Sequence, residues 1–491
     1  MCGMEGPPTS WSLLPPMRFF KMRPGTRFIY FSPFLMLGGC EEGPRVDLAG
    51  PAIFMERLQS GDRMNAILAI ATDAEEQLRA VSSGPERGPL HGLPLLVKDN
   101  IDVRGMPTTA GSRALLGNVA ERDAPVIANL RRAGAIVLGK TNLSEWANFR
   151  STSSTSGWSS VGGLTTNPHD SSRSACGSSS GSGAAVGGGL VEAAIGTETD
   201  GSITCPAAMC GIVGLKPTVG LLSTEGIVPI SASQDTAGPM TRNVRLAARV
   251  LGAMAGDEGE DYEAALHPDA LRGVRLGILV PLCGGYGEAV SETFAEARKT
   301  LESAGATLVE ISELPDLNRI RNLEWALLLR EFKRDLNLYL ATAPPAVKTR
   351  TLAELIAFNA MHAVEVMPHF GQEIFEEAEA TMGGEDPELP ALVAEARQLA
   401  GPFGIDRLLA VHGCAALVAP TTGRAFRINL EKGDSFQGAA TTLPAVSGYP
   451  HLTVPMGEAR DLPVGLSLIG PARSEARLLA LGYAFEQARG H

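Results

Sequence analysis

The 491-residue chain lacks the sequence patterns that usually hold metal ions or build disulfide frameworks. Its eight histidines are scattered, without an HExxH or HxxxH arrangement, and its seven cysteines include no CxxC pair. Cys205 and Cys210 lie close together in the chain, but this is typical of small buried residues. Cys176 is interpreted as a thiol that is open to oxidation. We expect no metal, no cofactor and no disulfide framework.

Most of the chain carries no excess of positive charge. The formal net charge is −12, and residues 1–39 contribute +3, which leaves −15 on residues 40–491. An acidic body of this size repels phosphate backbones, and no basic stripe offsets the repulsion. We therefore expect that nucleic acid is not a partner.

Beyond residue 40 the chain also lacks apolar segments long enough to span a membrane, and it lacks repeats of solenoid length. Met22–Cys40 reads MRPGTRFIYFSPFLMLGGC, with a basic start, a short apolar run and small residues before Cys40. This order of regions is typical of a secretory signal peptide. The LGGC ending resembles a bacterial lipoprotein signal, in which Cys40 is lipidated and becomes the first mature residue.

These features predict the domain organisation and the location. Residues 1–40 are expected to be an N-terminal extension with a lipoprotein-like signal peptide, and residues 41–491 the functional domain. The mature protein is expected to be exported, either periplasmic or attached to a membrane through Cys40. The alternative is a disordered extension with a chance cysteine.

Strands alternate with helices along the rest of the chain. Residues 52–81 carry helical periodicity. The alternation predicts an α/β protein in which helices flank a large sheet on both faces, as one domain with insertions. Further helices are predicted at 126–133, 244–254, 289–304 and 475–488, and strands at 135–138, 274–280, 307–311 and 463–469.

The most informative segment is rich in glycine and serine. Residues 173–217 read RSACGSSSGSGAAVGGGLVEAAIGTETDGSITCPAAMCGIVGLKP. Glycine lets backbone N–H groups approach a reacting centre, and serine supplies hydroxyl groups. Upstream, the apolar run in GLPLLVKDNID ends at Lys98. Two serines and a lysine without a metal set indicate a nucleophilic enzyme that cleaves amides.

Cleaving an amide requires a nucleophile, a base, donors for the oxyanion and an acid for the leaving amine. The GTETDGS turn is expected to direct its backbone N–H groups toward one point, with Thr199, Asp200 and Gly201 as the oxyanion-binding backbone. Ser202 lies at that point and is the predicted nucleophile. The Asp200 carboxylate is expected to point away and fix the loop, or to meet a polar end of the substrate.

Lys98 is the predicted base. A solvated lysine, with a pKa of about 10.4, is a poor base at neutral pH, but burial beneath a Gly/Ser loop favours the uncharged amine. Ser178 is expected to pass the proton between Lys98 and Ser202 and to return it to the leaving amine. The alternative for Lys98 alone is a surface lysine at the end of a strand.

The Gly/Ser block also admits other interpretations. Residues 177–181 satisfy G-x-S-x-G with Ser179 at the centre, but a nucleophile elbow needs a buried strand directly before it. The preceding NPHDSSRSAC is polar and loop-like. A flexible linker is disfavoured because AAVGGGLVEAAIG continues as the apolar, small-residue sequence of a packed helix.

Over about residues 50–490 the chain resembles the amidase signature family. The resemblance implies that Lys98 is the base, that Ser178 follows a cis peptide bond, and that Ser202 forms the acyl-enzyme. It also implies a large mixed sheet flanked by helices. The matching segments are GLPLLVKDNI, TTAGS at 108–112, GKTNLSEWA at 139–147, CGSSSGSGAAV, GTETDGSI, GIVGLKPT, QDTAGPM at 234–240, SGYPHLTVPMG and LPVGLSLIGPARSEARLLALGYAFEQA.

The chain departs from the family pattern at four positions, namely Cys176, Ser180, Glu198 and Asp200. The CGSSSGS and GTETDGS variants look most like those of bacterial peptide amidases, which release ammonia from C-terminal peptide amides. The resemblance implies that the substrate pocket lies in the weaker-matching region 255–430. A helix near Asn322–Tyr339 is expected to shape this pocket, and no substrate-binding residue is predicted within it.

The sequence therefore predicts an amidohydrolase with a Ser-Ser-Lys triad that acts on C-terminal peptide amides or small amides, without an obligate protein partner. Two alternatives remain. One is the glutaminase component of a tRNA-dependent amidotransferase, which the signal-like N-terminus contradicts. The other is a catalytically inactive amide-binding lipoprotein, which retention of Lys98, Ser178 and Ser202 disfavours.

Overall fold

The computed structural model describes residues 51–83 and 88–490. The predicted signal peptide and Cys40 lie outside these residues. The described part contains thirteen strands, eleven of which form one mixed sheet. The strands are β1 Ile67–Ile70, β2 Pro94–Lys98, β3 Ile136–Thr141, β4 Trp158–Ser159, β5 Gly163–Leu164, β6 Ala193–Glu198, β7 Val213–Lys216, β8 Thr236–Thr241, β9 Arg275–Leu279, β10 Thr307–Ile311, β11 Ala416–Pro420, β12 His451–Glu458 and β13 Pro463–Ile469.

Fifteen α-helices accompany these strands in the described residues, and none of them is long and apolar enough to cross a membrane. The helices are α1 Pro51–Gly61, α2 Ala74–Ser83, α3 Pro125–Arg132, α4 Ser180–Gly187, α5 Thr204–Cys210, α6 Val244–Ala255, α7 Glu288–Ser303, α8 Leu317–Thr342, α9 Leu352–Met361, α10 Ala363–Val366, α11 Glu373–Ala380, α12 Leu389–Ala400, α13 Arg407–His412, α14 Thr442–Ser447 and α15 Glu475–Arg489.

The large sheet has the order β1-β3-β2-β6-β8-β7-β12-β13-β11-β9-β10. Strand β2 pairs in parallel with β3 and β6, and β9 pairs in parallel with β10 and β11, whereas the centre is antiparallel. Carboxyl ends of neighbouring parallel strands meet at one edge. The ends of β2 and β6 therefore bring Lys98 close to Thr197.

Helices cover both faces of this sheet, as the sequence predicts. Alternate residues of β12 show this, because Leu452 and Val454 face α15, whereas Thr453 faces the side on which α5 packs. The segment between β10 and β11 adds α8–α13, which pack over a second apolar cluster that includes Phe332 and Phe375. This region is the main insertion in the single domain.

Two elements differ from the prediction. The helical periodicity of residues 52–81 is interrupted by β1, which pairs antiparallel with the edge of β3. Its sequence, ILAI, is a short apolar run that fits a strand as well as a helix. The second half of AAVGGGLVEAAIG is not helical, because α4 ends before Gly188 and the chain turns into β6. Helix α8 contains the predicted helix at 322–339.

Candidate active site

Lys98 ends the fully buried strand β2 and has no exposed surface. Its Nζ lies 2.8 Å from the Ser178 hydroxyl, 2.8 Å from the Thr197 hydroxyl and 3.2 Å from the Thr197 carbonyl oxygen. Burial lowers the Lys98 pKa from 10.5 to about 7, although Asp235 and Glu198 oppose this shift. The uncharged amine is therefore well populated near neutral pH.

The hydrogen bonds of Lys98 suit a base. An uncharged amine has two donors and one lone pair, and Thr197 presents two acceptors to it. Asn100 also donates to the Thr197 hydroxyl, at 2.9 Å, which holds that oxygen in place. With both N–H groups of Lys98 on Thr197, the lone pair faces the Ser178 hydroxyl. The surface-lysine alternative is wrong.

Ser178 is completely buried and follows a cis peptide bond from Gly177, as the family resemblance implies. Its carbonyl oxygen accepts a hydrogen bond from the backbone of Ser144 at 3.1 Å. This bond holds the loop that carries Ser178 against the segment at Ser144.

Ser202 is 8% exposed, whereas Lys98 and Ser178 are fully buried, so Ser202 is the most accessible of the three. Its carbonyl oxygen accepts from the Ser179 backbone N–H at 3.1 Å, which ties the two serine loops together. No hydrogen bond joins the Ser178 and Ser202 hydroxyls in the described part of the chain. Catalytic hydrogen bonds often tighten only when substrate binds.

The turn at residues 199–202 leaves donors available. Gly201 has a φ of 80°, which favours glycine. Among the hydrogen bonds of the described residues, none uses the backbone N–H of the predicted Thr199, Asp200 and Gly201, or that of Ser202. Unpaired donors beside a nucleophile are what an oxyanion site requires.

The carboxylates of Glu198 and Asp235 hold this turn at its two ends. The sequence did not predict these roles. Glu198 accepts the backbone N–H groups of Ile203 and Thr204 at 2.7 and 2.8 Å. Asp235 accepts the Thr199 hydroxyl at 2.5 Å. The GTETDGS motif contains Glu198, but only the fold shows that Asp235 returns to the same loop.

Ser179 is not placed as a nucleophile. No strand precedes it, and its buried hydroxyl donates to the Thr197 carbonyl oxygen at 3.1 Å. The G-x-S-x-G match is therefore incidental, because Ser179 holds the loop against β6 instead of presenting its hydroxyl at a turn.

The expectation that no disulfide forms, and that Cys176 is an oxidisable thiol, is wrong. Cys176 and Cys205 form a disulfide with a length of 2.08 Å, and Cys210 is a buried thiol outside it. The bond links the residue two before Ser178 to the residue three after Ser202. The two cysteines are 29 residues apart in the sequence, with α4 and β6 between them. Only the fold brings them together, so the sequence does not reveal the pair.

Replacing both Cys176 and Cys205 with alanine is expected to lower the free energy of unfolding by about 3–4 kcal/mol, because the unfolded chain regains the freedom of a loop of this size. Chemical denaturation under oxidising conditions measures the change, and Cys210→Ala on the same helix is the control. Equal stability of the double variant and the wild type would show that the bond does not form.

The lowered pKa of Lys98 predicts a pH dependence. The active amine is uncharged above a pH of about 7 and protonated below it. The kcat/KM for an amide is therefore expected to rise about tenfold per pH unit on the acid side and to level off above about pH 8. A pH–rate profile on an uncharged substrate measures this, and a profile that stays flat from pH 5 to pH 9 would contradict it.

Known proteins share both the sequence and the fold. The family model described as Amidase matches residues 53–479. A probable amidase of Arabidopsis thaliana is 38% identical over 443 residues, which cover 86% of this chain and 81% of that protein. A glutamyl-tRNA(Gln) amidotransferase chain of Symbiobacterium thermophilum is 36% identical, over 84% of this chain and 86% of its own.

Solved structures are similar over most of the chain. The native peptide amidase of Stenotrophomonas maltophilia has 48% identity and a TM-score of 0.83, and the match covers 89% of this chain and 92% of that one. The peptide amidase PAM bound to the competitive inhibitor chymostatin has 49% identity and a TM-score of 0.84, over 89% and 93% of the two chains. A glutamyl-tRNA(Gln) amidotransferase chain of Thermotoga maritima has 26% identity and a TM-score of 0.67, over 89% of this chain and 90% of its own.

Proposed function

The chain belongs to the amidase family, and from this premise we propose that it releases ammonia from C-terminal peptide amides through an acyl-enzyme on Ser202. The chain is an amidase, a hydrolase of amide bonds. The observation that supports the proposed chemistry most strongly is the 2.8 Å contact between the Lys98 amine and the Ser178 hydroxyl, in surroundings that lower the pKa of the amine to about 7.

The proposed reaction has two halves. Lys98 takes the proton of Ser178, Ser178 takes the proton of Ser202, and the Ser202 oxygen attacks the amide carbon. The N–H groups of the 199–202 turn stabilise the oxyanion, and the C–N bond breaks as Ser178 returns a proton to the leaving nitrogen. Water then attacks the ester on Ser202 by the same relay, so the products are a carboxylic acid and ammonia.

Similarity to peptide amidases supports a peptide amide as the substrate. The match to these structures has a higher TM-score and a higher identity than the match to the amidotransferase chain. The glutaminase alternative requires glutamine as substrate, and the inactive-lipoprotein alternative does not account for the Lys98–Ser178 contact.

Ammonia release by the purified protein tests the substrate. The assay compares peptide C-terminal amides, simple aliphatic and aryl amides, and glutamine, with Ser202→Ala as the control. We expect release from peptide amides that disappears in the variant. Release from glutamine alone would favour the glutaminase function, and saturable amide binding without turnover would favour a binding protein.

Export is a further part of the proposal. The Cys176–Cys205 disulfide supports it, because such bonds persist in oxidising compartments and are rare in the cytosol. The signal-like order of residues 22–40 also supports it. Labelling cells with a radioactive fatty acid tests the anchor, since Cys40→Ser is expected to abolish labelling. An unlabelled wild type found in the soluble cytosolic fraction would contradict both export and lipidation.

A further inference from the structure

The carboxyl side chains of two residues, one within the 199–202 turn and one packed near it, have no role in the proposed reaction. Asp200 lies two residues before Ser202, and Glu324 lies on α8, where it is 7% exposed. Their side chains are within hydrogen-bonding reach of each other. The exposed Arg321, one turn earlier on α8, is a cation that faces both groups.

Two carboxyl groups in contact and shielded from water do not both ionise, because the like charges repel each other in a low dielectric. Burial raises the pKa of Asp200 to about 6 and that of Glu324 well above its ordinary value. Near neutral pH, Asp200 is therefore the anion and Glu324 the neutral acid, so a single proton lies between them.

Gln234 determines where that proton lies. Its amide donates to Glu324 Oε1 at 2.9 Å and to the Thr199 carbonyl oxygen at 3.4 Å. An acid oxygen that accepts from an amide is the carbonyl-type oxygen, so the proton of Glu324 is on Oε2, where it is available to Asp200. Gln234 is 1% exposed, and the contact fixes α8 against the nucleophile turn.

One oxygen of Asp200 is left unpaired. The Thr441 hydroxyl and Glu324 both lie close enough to the Asp200 carboxyl to lower its pKa, but among the described residues Asp200 Oδ1 is buried without a hydrogen bond, and so is Gln234 Oε1. A buried, unpaired carboxylate oxygen is costly, and an N–H donor from a bound molecule relieves the cost. The turn that carries Ser202 therefore contains a hydrogen-bond acceptor without a donor.

The position of this acceptor indicates which part of the substrate it meets. Lys98 and Ser178 lie where the leaving amine is protonated, and neither contacts Asp200, Glu324 or Gln234 among the described hydrogen bonds. The acceptor is instead held by α8 and by the segment before β8. It therefore lies on the side of the acyl group.

We propose that Asp200 Oδ1 accepts a hydrogen bond from the backbone N–H of the amino-acid residue that bears the C-terminal amide. This inference rests on the proposed function. Glu324 acts as a positioning residue that donates its proton to Asp200 and holds it in place. The pair selects amides of acylated amino acids over simple carboxamides, since only the former carry an N–H at this position.

Two matched substrates test the proposal. One is N-acetylphenylalaninamide, and the other is 2-acetoxy-3-phenylpropionamide, in which oxygen replaces that N–H and the reacting amide is unchanged. The quantity measured is the ratio of kcat/KM for ammonia release from the two. A site built to hydrogen-bond an N–H discriminates strongly against an analogue that lacks it, so we expect the wild type to favour the first substrate by about tenfold or more.

The variants separate positioning from a general structural effect. Glu324→Gln keeps a neutral donor and is expected to retain the ratio within about threefold, whereas Glu324→Ala is expected to lose most of it. Asp200→Ala is expected to bring the ratio close to one. Because Asp200 is not part of α8, this result does not depend on the stability of that helix. Leu338→Ala, on the exposed side of α8, is the control and is expected to leave the ratio unchanged.

A wild-type ratio near one, or a ratio that is equal in Asp200→Ala, Glu324→Ala and the wild type, would overturn the inference while leaving amide hydrolysis intact. Absence of ammonia from both substrates would instead overturn the proposed function and this inference together. Loss of the ratio in Leu338→Ala to the same extent as in Glu324→Ala would show that the effect is only structural.

Discussion

Replacing Ser202 with alanine is expected to lower kcat for amide hydrolysis by roughly 10⁵-fold or more, because the nucleophile and its proton relay act as one unit. The backbone donors of the turn remain, so substrate affinity is expected to change little. Ammonia release under saturating substrate gives kcat, and denaturant unfolding confirms that the variant is folded.

Ser179→Ala is the matched control for that variant. Ser179 is also a buried serine, and its hydroxyl contacts the Thr197 carbonyl oxygen and not Lys98. We expect it to keep an acyl-enzyme and most of its activity, with a modest loss of stability. If Ser179→Ala abolished acylation and Ser202→Ala did not, the two serines would have to exchange roles.

Replacing Lys98 with methionine is expected to lower kcat by about 10³-fold, since the base is lost while the volume of the side chain is kept. The rise of activity with pH through about 7 should disappear with it, because no other group in the relay loses a proton there. A pH–rate profile of the variant measures both effects, and near wild-type turnover would exclude Lys98 as the base.

Lys140 provides a control of the opposite kind. It is equally buried, but its Nζ lies 3.2 Å from the buried Asp99 carboxylate, so it acts as one half of an ion pair. Lys140→Met leaves that carboxylate unpaired and is expected to cost about 3–5 kcal/mol of stability. Lys98 has no such partner, and Lys98→Met is expected to cost much less. Similar losses of stability in the two variants would contradict this distinction.

The sequence predicts the elements whose periodicity is unambiguous. The strands at 307–311 and 463–469 have the predicted bounds, because alternating or continuous apolar runs between turn residues admit one interpretation. The sequence does not reveal the first strand, β1, because a run of four apolar residues between two helices fits the periodicity of a helix as well as that of a strand. Its identity depends on pairing with β3, which is a tertiary contact.

The candidate site also has parts that the sequence predicts and parts that it does not. Lys98, Ser178 and Ser202 are carried by local motifs, so the sequence alone identifies them as candidates. The Cys176–Cys205 bond and the Gln234–Glu324 contact each join segments that only the fold brings together. A side chain such as Glu324 sits in an ordinary amphipathic helix, and nothing in the surrounding sequence distinguishes it from the exposed acids of the same region.

The most direct test of the account is the mass of the intact protein within the first turnovers on an activated aryl amide, followed by mapping of the modified peptide. We predict a transient increase equal to the acyl group, located on Ser202 and absent from Ser202→Ala. Hydrolysis without any covalent adduct under conditions that trap an ester, or an adduct on another residue, would contradict an acyl-enzyme on Ser202.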